Sequence, residues 1–161
     1  MDKPVNVSIV LYETNIKQLN DCLKSLEHSD CINAITLLDN SKKQLNLDNL
    51  YKPSVAVNYI HNNDNLGYGT AHNIAIRDSI DNKKIFYHLV INADVSFDKK
   101  VIDKCFNFME SNLDVGNLIP SVLYPDGRPQ YLCKLIPSPF DFFIRVMMPN
   151  RIKKLHERHF A

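Results

Sequence analysis

The chain has 161 residues, 45% of them apolar and 23% charged, with a formal net charge of +1. That length supports one globular domain with its own core, and the near-neutral balance excludes a nucleic-acid partner recruited by an overall basic field. No stretch approaches the roughly 20 apolar residues of a membrane-spanning helix, and four glycines and eight prolines are too few for a low-complexity chain.

The N-terminal segment MDKPVNVSIVLYE lacks the long apolar region and small-residue cleavage site of a signal peptide. Cys22, Cys31, Cys105 and Cys133 show no C-x-x-C spacing, and reduced thiols are expected. Together these features predict a cytoplasmic protein.

VNVSIVLY (5–12) is β-rich and apolar at nearly every position, as expected of a strand covered on both faces. In the next segment Ile16, Leu19, Leu23 and Leu26 recur at helical spacing, with Thr14 or Asn15 as the cap. INAITLLDN (32–40) is a second buried strand and VAVNYI (55–60) a third, joined by the loop QLNLDNLYKPS. TAHNIAIRDSI (70–80) predicts a helix with Ala71, Ile74, Ala75 and Ile80 inward and His72 exposed. KIFYHLVI (84–91) is a fourth strand, KKVIDKCFNFMESN an amphipathic helix, and VGNLIPSVL (115–123) a further strand. Buried strands alternating with amphipathic helices predict an α/β sandwich with a mostly parallel sheet. From residue 125 onward the chain turns proline-rich and basic, so 1–124 is expected to form the core and 125–161 a tail crossing it.

Ligands of such sheets bind outside the carboxyl ends of the strands. Polar clusters fall there: Tyr12-Glu13-Thr14, Asp39-Asn40-Ser41, Asn65-Leu66-Gly67 and Asn92-Ala93-Asp94. Strand alternation puts Asn92 and Asp94 on one side. A carboxylate there can share Mg²⁺ or Mn²⁺ with a ligand's phosphates, and Asn92 can offer an oxygen or a donor. The plain structural alternative has Asp94 capping the next helix, a task for which Asp98 is better placed. Gly67 and Gly69 either permit close backbone approach to a ligand beside a helix N-terminus or form a simple turn. Asp39 either binds a ligand or closes an Asx-turn with Ser41. Tyr12 and Tyr68 are stacking groups or core edges. Asp126-Gly127 is a β-turn or part of a substrate-facing loop.

The segments VSIVLYET, ITLLDNS, NLGYGTAHNIAI, LVINADV and LIPSVLYPDGRPQ, in this order and spacing, resemble family-2 glycosyltransferases with the GT-A fold, and within them the bacterial rhamnosyltransferase-like branch. The resemblance spans roughly Val5 to Arg145. It implies a Rossmann-like nucleotide-diphospho-sugar transferase. Leu11, Tyr12 and Thr14 would line the base pocket, and Asp39, followed by Asn40, would meet the pyrimidine edge. Gly67 and Tyr68 would open a helix beside the nucleotide sugar, with Asn73 a recurrent polar position on it. Asn92-Ala93-Asp94 matches the D-x-D motif, with Asn for its first acid and Asp94 as the metal contact. His72 stands where other members often carry Arg.

The implied reaction is inverting transfer of a sugar, rhamnose by the resemblance, from a dTDP- or UDP-type donor to a glycan or lipid-linked acceptor, with Mn²⁺ or Mg²⁺ as cofactor, in bacterial polysaccharide synthesis. The family's general base lies in an acidic motif further downstream. The chain is therefore expected to be an N-terminal piece that holds mainly the donor site, ends at Ala161 before the base, and is inactive alone. The alternative is a nucleotide- or glycan-binding module without catalysis. Three partners are open for the tail FDFFIRVMMPNRIKK: an anionic membrane at the inner face, the rest of a longer chain, or a second copy in a homodimer. A nucleotidyltransferase is disfavoured because LYETNIKQL has no Gly-rich basic loop, and a dinucleotide-binding protein because no G-x-G-x-x-G follows the first strand.

Overall fold

The computed structural model describes residues 4–124 and 126–130. The chain divides into two compact units, Met1–Gly116 and Asn117–Ala161. The first carries strands β1 (Val5–Leu11), β2 (Ile32–Asp39), β3 (Ala56–His61) and β4 (Tyr87–Asn92), and helices α1 (Ile16–Leu26), α2 (Tyr68–Asp81) and α3 (Val101–Ser111). The strands form one parallel sheet in the order β3-β2-β1-β4. This is the α/β architecture with a parallel sheet expected from the sequence.

The strand order reverses at β1. β2 and β3 build outward on one side of it and β4 lies on the other, so a crevice opens between the carboxyl ends of β1 and β4. The register aligns those ends. Leu11 pairs with Asp39, Asp39 with His61, and Val10 with Asn92.

Side-chain alternation sorts β1 into two faces. Val5, Val7, Ile9 and Leu11 pack with Leu19, Cys22, Leu23 and Leu26 of α1 and Ile102 of α3 in the main core. The opposite face meets α2 through Val10, Leu38, Ile60, Ala71 and Ala75. Here the expectation of apolar cover on both faces needs correction. Asn6 and Ser8 point to the α2 side, and Ser8 is fully buried. The inward face of α2 is Ala71, His72, Ala75 and Ser79, while Ile80 is 74% exposed and His72 only 3%. Polar α2 side chains face polar β1 side chains, so their hydrogen bonds replace an apolar seam.

Other boundaries also move. Helix α1 is capped by Asn15, whose side chain accepts from Lys17 N at 2.9 Å. Helix α2 begins at Tyr68 rather than 70, because Gly67 takes φ +78° and ψ 162°. That backbone region is essentially glycine's alone. β4 starts late because Asn82 holds a turn, accepting from Lys84 N at 3.1 Å and Ile85 N at 2.9 Å. Helix α3 has Lys100 at its cap with no side-chain bond, so neither Asp94 nor Asp98 caps it.

In the second unit the strand expected over 115–123 shrinks to β5 (Val122–Leu123), paired antiparallel with β6 (Pro129–Gln130). Gly116 offers no side chain to pack and Pro120 no N–H to a ladder. The Asp126-Gly127 turn closes this hairpin, with Gly127 at φ +82° and Tyr124 N donating to Arg128 O at 2.8 Å. The remainder of the 125–161 tail, with its proposed membrane and dimer contacts and Cys133, lies outside the described residues. Cys22, Cys31 and Cys105 are free. Among the described residues no helix is long and apolar enough to cross a membrane.

Candidate functional site

The β1–α1 connection is short and tightly held. Tyr12 N donates to Thr14 Oγ1 at 3.0 Å, and Glu13, at φ +48°, donates its N–H to Ser41 Oγ at 2.8 Å. A non-glycine residue in the left-handed region is uncommon, and here it turns the chain sharply out of β1 at the crevice. Across it, Val95 N bonds Asn92 O at 3.4 Å, so Asn92–Ala93–Asp94 enters a turn rather than continuing as strand. Asn92 and Asp94 are nevertheless both exposed, with Ala93 buried between them. Cys22 of α1 braces this turn, its Sγ–H donating to Asn92 O at 3.7 Å. Burial, reinforced by the charge of Asp94, pushes the Cys22 thiol up to about 12, so it stays a protonated donor.

An asparagine network fixes the third wall. Asn40 Oδ1 accepts from Asn62 Nδ2 at 2.8 Å, and Asn40 Nδ2 donates to Gly67 O at 3.3 Å. Asn65 Oδ1 accepts from Gly67 N at 3.0 Å. The end of β2 is thereby tied to the start of α2. The first intrahelical bond runs from Ala71 N to Gly67 O at 3.2 Å, which leaves the N–H groups of 68–70 without an intrahelical acceptor.

These elements enclose an open cleft of about 610 Å³, within the range that houses small ligands. Tyr12, Glu13, Thr14, Asn15 and Gln18 line it from the β1–α1 side, Asn40, Asn65, Gly67 and Tyr68 from the β2–α2 side, and Asn92, Ala93 and Asp94 from β4, with Val10 at its floor. Eight of the eleven candidate residues from the sequence line it: Tyr12, Thr14, Asn40, Gly67, Tyr68, Asn92, Ala93 and Asp94. Three fall elsewhere. Leu11 is core and offers its carbonyl oxygen to Asn40 N at 2.9 Å. Asn73 is exposed on α2 outside the cleft lining.

Asp39 is fully buried, with 0% exposure. Its Oδ1 accepts from Ser41 N at 2.9 Å and its Oδ2 from Leu45 N at 3.1 Å and from the Tyr59 hydroxyl. Burial alone would raise its pKa, but the bonds from Ser41, Tyr59 and Leu45 outweigh it and hold the carboxyl below its usual range. This is the Asx-turn alternative of the sequence, extended into an anchor for the β2–β3 loop.

Asn15, Gln18 and Val10 were not singled out for the site by the sequence. Glu13 and Asn65 sit inside clusters the sequence did mark, and Gln18 lies in the first turn of α1, three residues after its cap Asn15.

The charge of the lining is informative. Glu13 and Asp94 are its ionisable acids, and it contains no Lys, Arg or His among the described residues. Two carboxylates repel an anionic ligand unless a cation stands between them, and the partial positive charge at the α2 N-terminus is modest. Carboxylates with amide and hydroxyl oxygens suit a hard divalent ion. Among the described residues no three His, Cys, Asp or Glu side chains gather into a metal cage, so an ion here would need ligand oxygens to complete its shell.

No family model matches the chain, and no curated protein matches it. Among solved structures it is similar to TarS of S. aureus, a glycosyltransferase, at 14% identity and a TM-score of 0.48 over 75% of this chain and 24% of that one. It is also similar to TarS 1-349 of S. aureus, at 15% identity and a TM-score of 0.48 over 75% of this chain and 39% of that one. The chain thus spans only 24% and 39% of the lengths of these two structures.

Proposed function

We propose that the cleft binds a nucleoside diphosphate sugar through a divalent cation, and that the chain is the donor-binding part of an inverting glycosyltransferase. The observation that carries this reading is the cleft's chemistry: two carboxylates and no basic side chain among its lining residues, at the switch point of a parallel sheet. Asp94, with Glu13 also in the lining, would hold Mg²⁺ or Mn²⁺. The bound ion would supply charge neutralisation for the diphosphate as it departs.

The chain's own groups do the rest. Tyr12, 53% exposed at the end of β1, offers a ring face to a pyrimidine base, and the N–H groups of 68–70 face the diphosphate or sugar oxygens. In the transfer itself, an acceptor hydroxyl oxygen bonds the anomeric carbon as the carbon–oxygen bond to the diphosphate breaks, and the hydroxyl proton passes to a base. The sequence resemblance favours a thymidine or uridine diphosphate donor, rhamnose as its sugar, and a glycan or lipid-linked acceptor.

Calorimetric titration with uridine and thymidine diphosphate, in Mn²⁺ and in EDTA, tests the reading. Binding that requires the metal is expected. Equal affinity in EDTA, or no binding of either nucleotide to folded protein, would overturn it.

A further inference from the structure

Beneath α2, on the sheet face opposite the main core, runs a chain of polar contacts that the donor-site reading does not use. His72 Nδ1 lies 2.7 Å from Ser8 Oγ, and Ser8 Oγ lies 2.8 Å from His88 Nε2. His88 Nδ1 lies 2.8 Å from Ser79 Oγ, and Asn6 Nδ2 donates to Ser79 Oγ at 3.0 Å. Ser79 also donates to Ala75 O at 3.0 Å.

With the Ser79 hydroxyl donating to Ala75 O at 3.0 Å, the directions of the remaining bonds follow. A serine hydroxyl has one hydrogen and two lone pairs. Ser79 gives its hydrogen to Ala75 O and accepts from Asn6, so its contact with His88 is a bond donated by His88 Nδ1–H. Neutral His88 then presents a bare Nε2, which accepts the hydrogen of Ser8. With that hydrogen committed, Ser8 can only accept from His72, so His72 carries its proton on Nδ1. Burial lowers the pKa of both rings, and for His88 the neighbouring His72 adds to the effect, so both stay neutral. The consequence is a lone pair on His72 Nε2, the buried atom left without a partner among the described residues.

His72 is not itself in the cleft lining, but its ring touches a residue that is. Helical side chains lean toward the helix N-terminus, so the His72 ring lies over the turn that begins at Gly67. Tyr68, one turn earlier, meets it edge-on at 4.3 Å between centroids and 71° between planes. Tyr68 is itself 52% exposed and lines the cleft. Rotation of one half-exposed ring would open His72 to a bound ligand.

We propose that His72 Nε2 is a concealed hydrogen-bond acceptor of the cleft, taking a neutral ligand hydroxyl of sugar or ribose when Tyr68 turns aside. A bare nitrogen lone pair repels phosphate oxygens and requires an O–H or N–H donor, so this position reads the hydroxylated part of a nucleotide sugar and not its diphosphate. The proposal rests on the nucleotide-sugar reading.

Long-range ¹H–¹⁵N correlation of the imidazoles in the intact chain tests it. The probes are uridine diphosphate, uridine diphosphate glucose, thymidine diphosphate and thymidine diphosphate rhamnose, each with Mg²⁺. The free protein is expected to show His72 as Nδ1–H with unprotonated Nε2, and Nε2 to move on saturation. Movement with the bare diphosphates assigns a ribose hydroxyl, and movement with a sugar nucleotide alone assigns a sugar hydroxyl. A proton on Nε2 in the free protein overturns the proposal, as does a stationary Nε2 while the amides of Asn92 and Asp94 respond. Should no probe move those amides, the nucleotide-sugar reading fails and this proposal fails with it. Ser8→Ala, which keeps the imidazole but removes the acceptor at Nδ1, is expected to weaken binding of the effective probe about tenfold. Unchanged affinity in a folded variant would contradict the relay.

Discussion

Replacing Asp39 with asparagine keeps its shape but removes the charge and one acceptor oxygen. The native carboxylate serves three donors, with Ser41 N at 2.9 Å on Oδ1, and Leu45 N at 3.1 Å and the Tyr59 hydroxyl on Oδ2. An amide can accept on one side only. With its oxygen toward Ser41, its NH₂ meets Leu45 N–H, which keeps only its second contact, to Tyr59 Oη at 3.1 Å, while the Tyr59 hydroxyl must turn round to accept. The opposite flip strands Ser41 N. Each hydrogen bond to a charged group is worth about 1.5–3 kcal/mol. Loss or weakening of two, partly offset by the reversed tyrosine, gives a destabilisation of about 2–4 kcal/mol, or a fall in Tm of about 5–15 °C at this chain length. Urea unfolding and a thermal scan measure both.

The acid limb of stability should change too. Because the folded pKa of Asp39 lies below the ordinary value, its contribution is complete above the unfolded pKa and is lost as pH falls through the folded one. Asp39→Asn should flatten that limb. A variant within about 0.5 kcal/mol of the native chain that loses nucleotide binding would refute the argument, by showing that the carboxylate serves a ligand and not the loop.

Gly67→Ala is expected to cost about 1–3 kcal/mol from backbone conformation alone, since a Cβ there meets nothing within 4 Å; a neutral substitution in chemical denaturation would contradict the φ of +78°. Stability should also decline between pH 6.5 and about 4, because burial and the neighbouring His72 hold His88 down to about 4 from 6.5. In that window the unfolded chain binds a proton that the folded chain does not. With the partly exposed ring discounted for solvent screening, the loss is about 1–2 kcal/mol. His88→Gln should reduce that slope, leaving the smaller part due to buried His72, and an unchanged slope in urea titrations across the window would contradict the neutral relay.

The apolar runs ending at Leu11, Asp39, His61 and Asn92 made the strands and their polar rim legible, because strands of a parallel sheet packed by helices are rich in apolar side chains, even though Asn6 and Ser8 break the run in β1. The pairing that brings Val10 beside Asn92 was not, since register joins residues some 80 positions apart. The same distance hid the Ser8–His72–His88 contacts. A lone histidine in TAHNIAIRDSI gives no local sign that its partner lies in the first strand. The exposure of Ile80 could have been read: nine residues beyond Ala71 at 100° each is half a turn, which puts it on the opposite side of α2. Asp39 was legible as an Asx-turn, but its bond to Tyr59 and its distance from the cleft lining required the fold.

The central claim is that Asp94 holds a cation jointly with a nucleotide. Water-proton relaxation by Mn²⁺, titrated with uridine or thymidine diphosphate against the native chain and Asp94→Asn, tests it most directly. The native chain should form a ternary complex with strongly enhanced relaxation, and Asp94→Asn should weaken that complex at least about tenfold, or 1.4 kcal/mol, with the fold intact. Equal enhancement in both proteins would contradict the account.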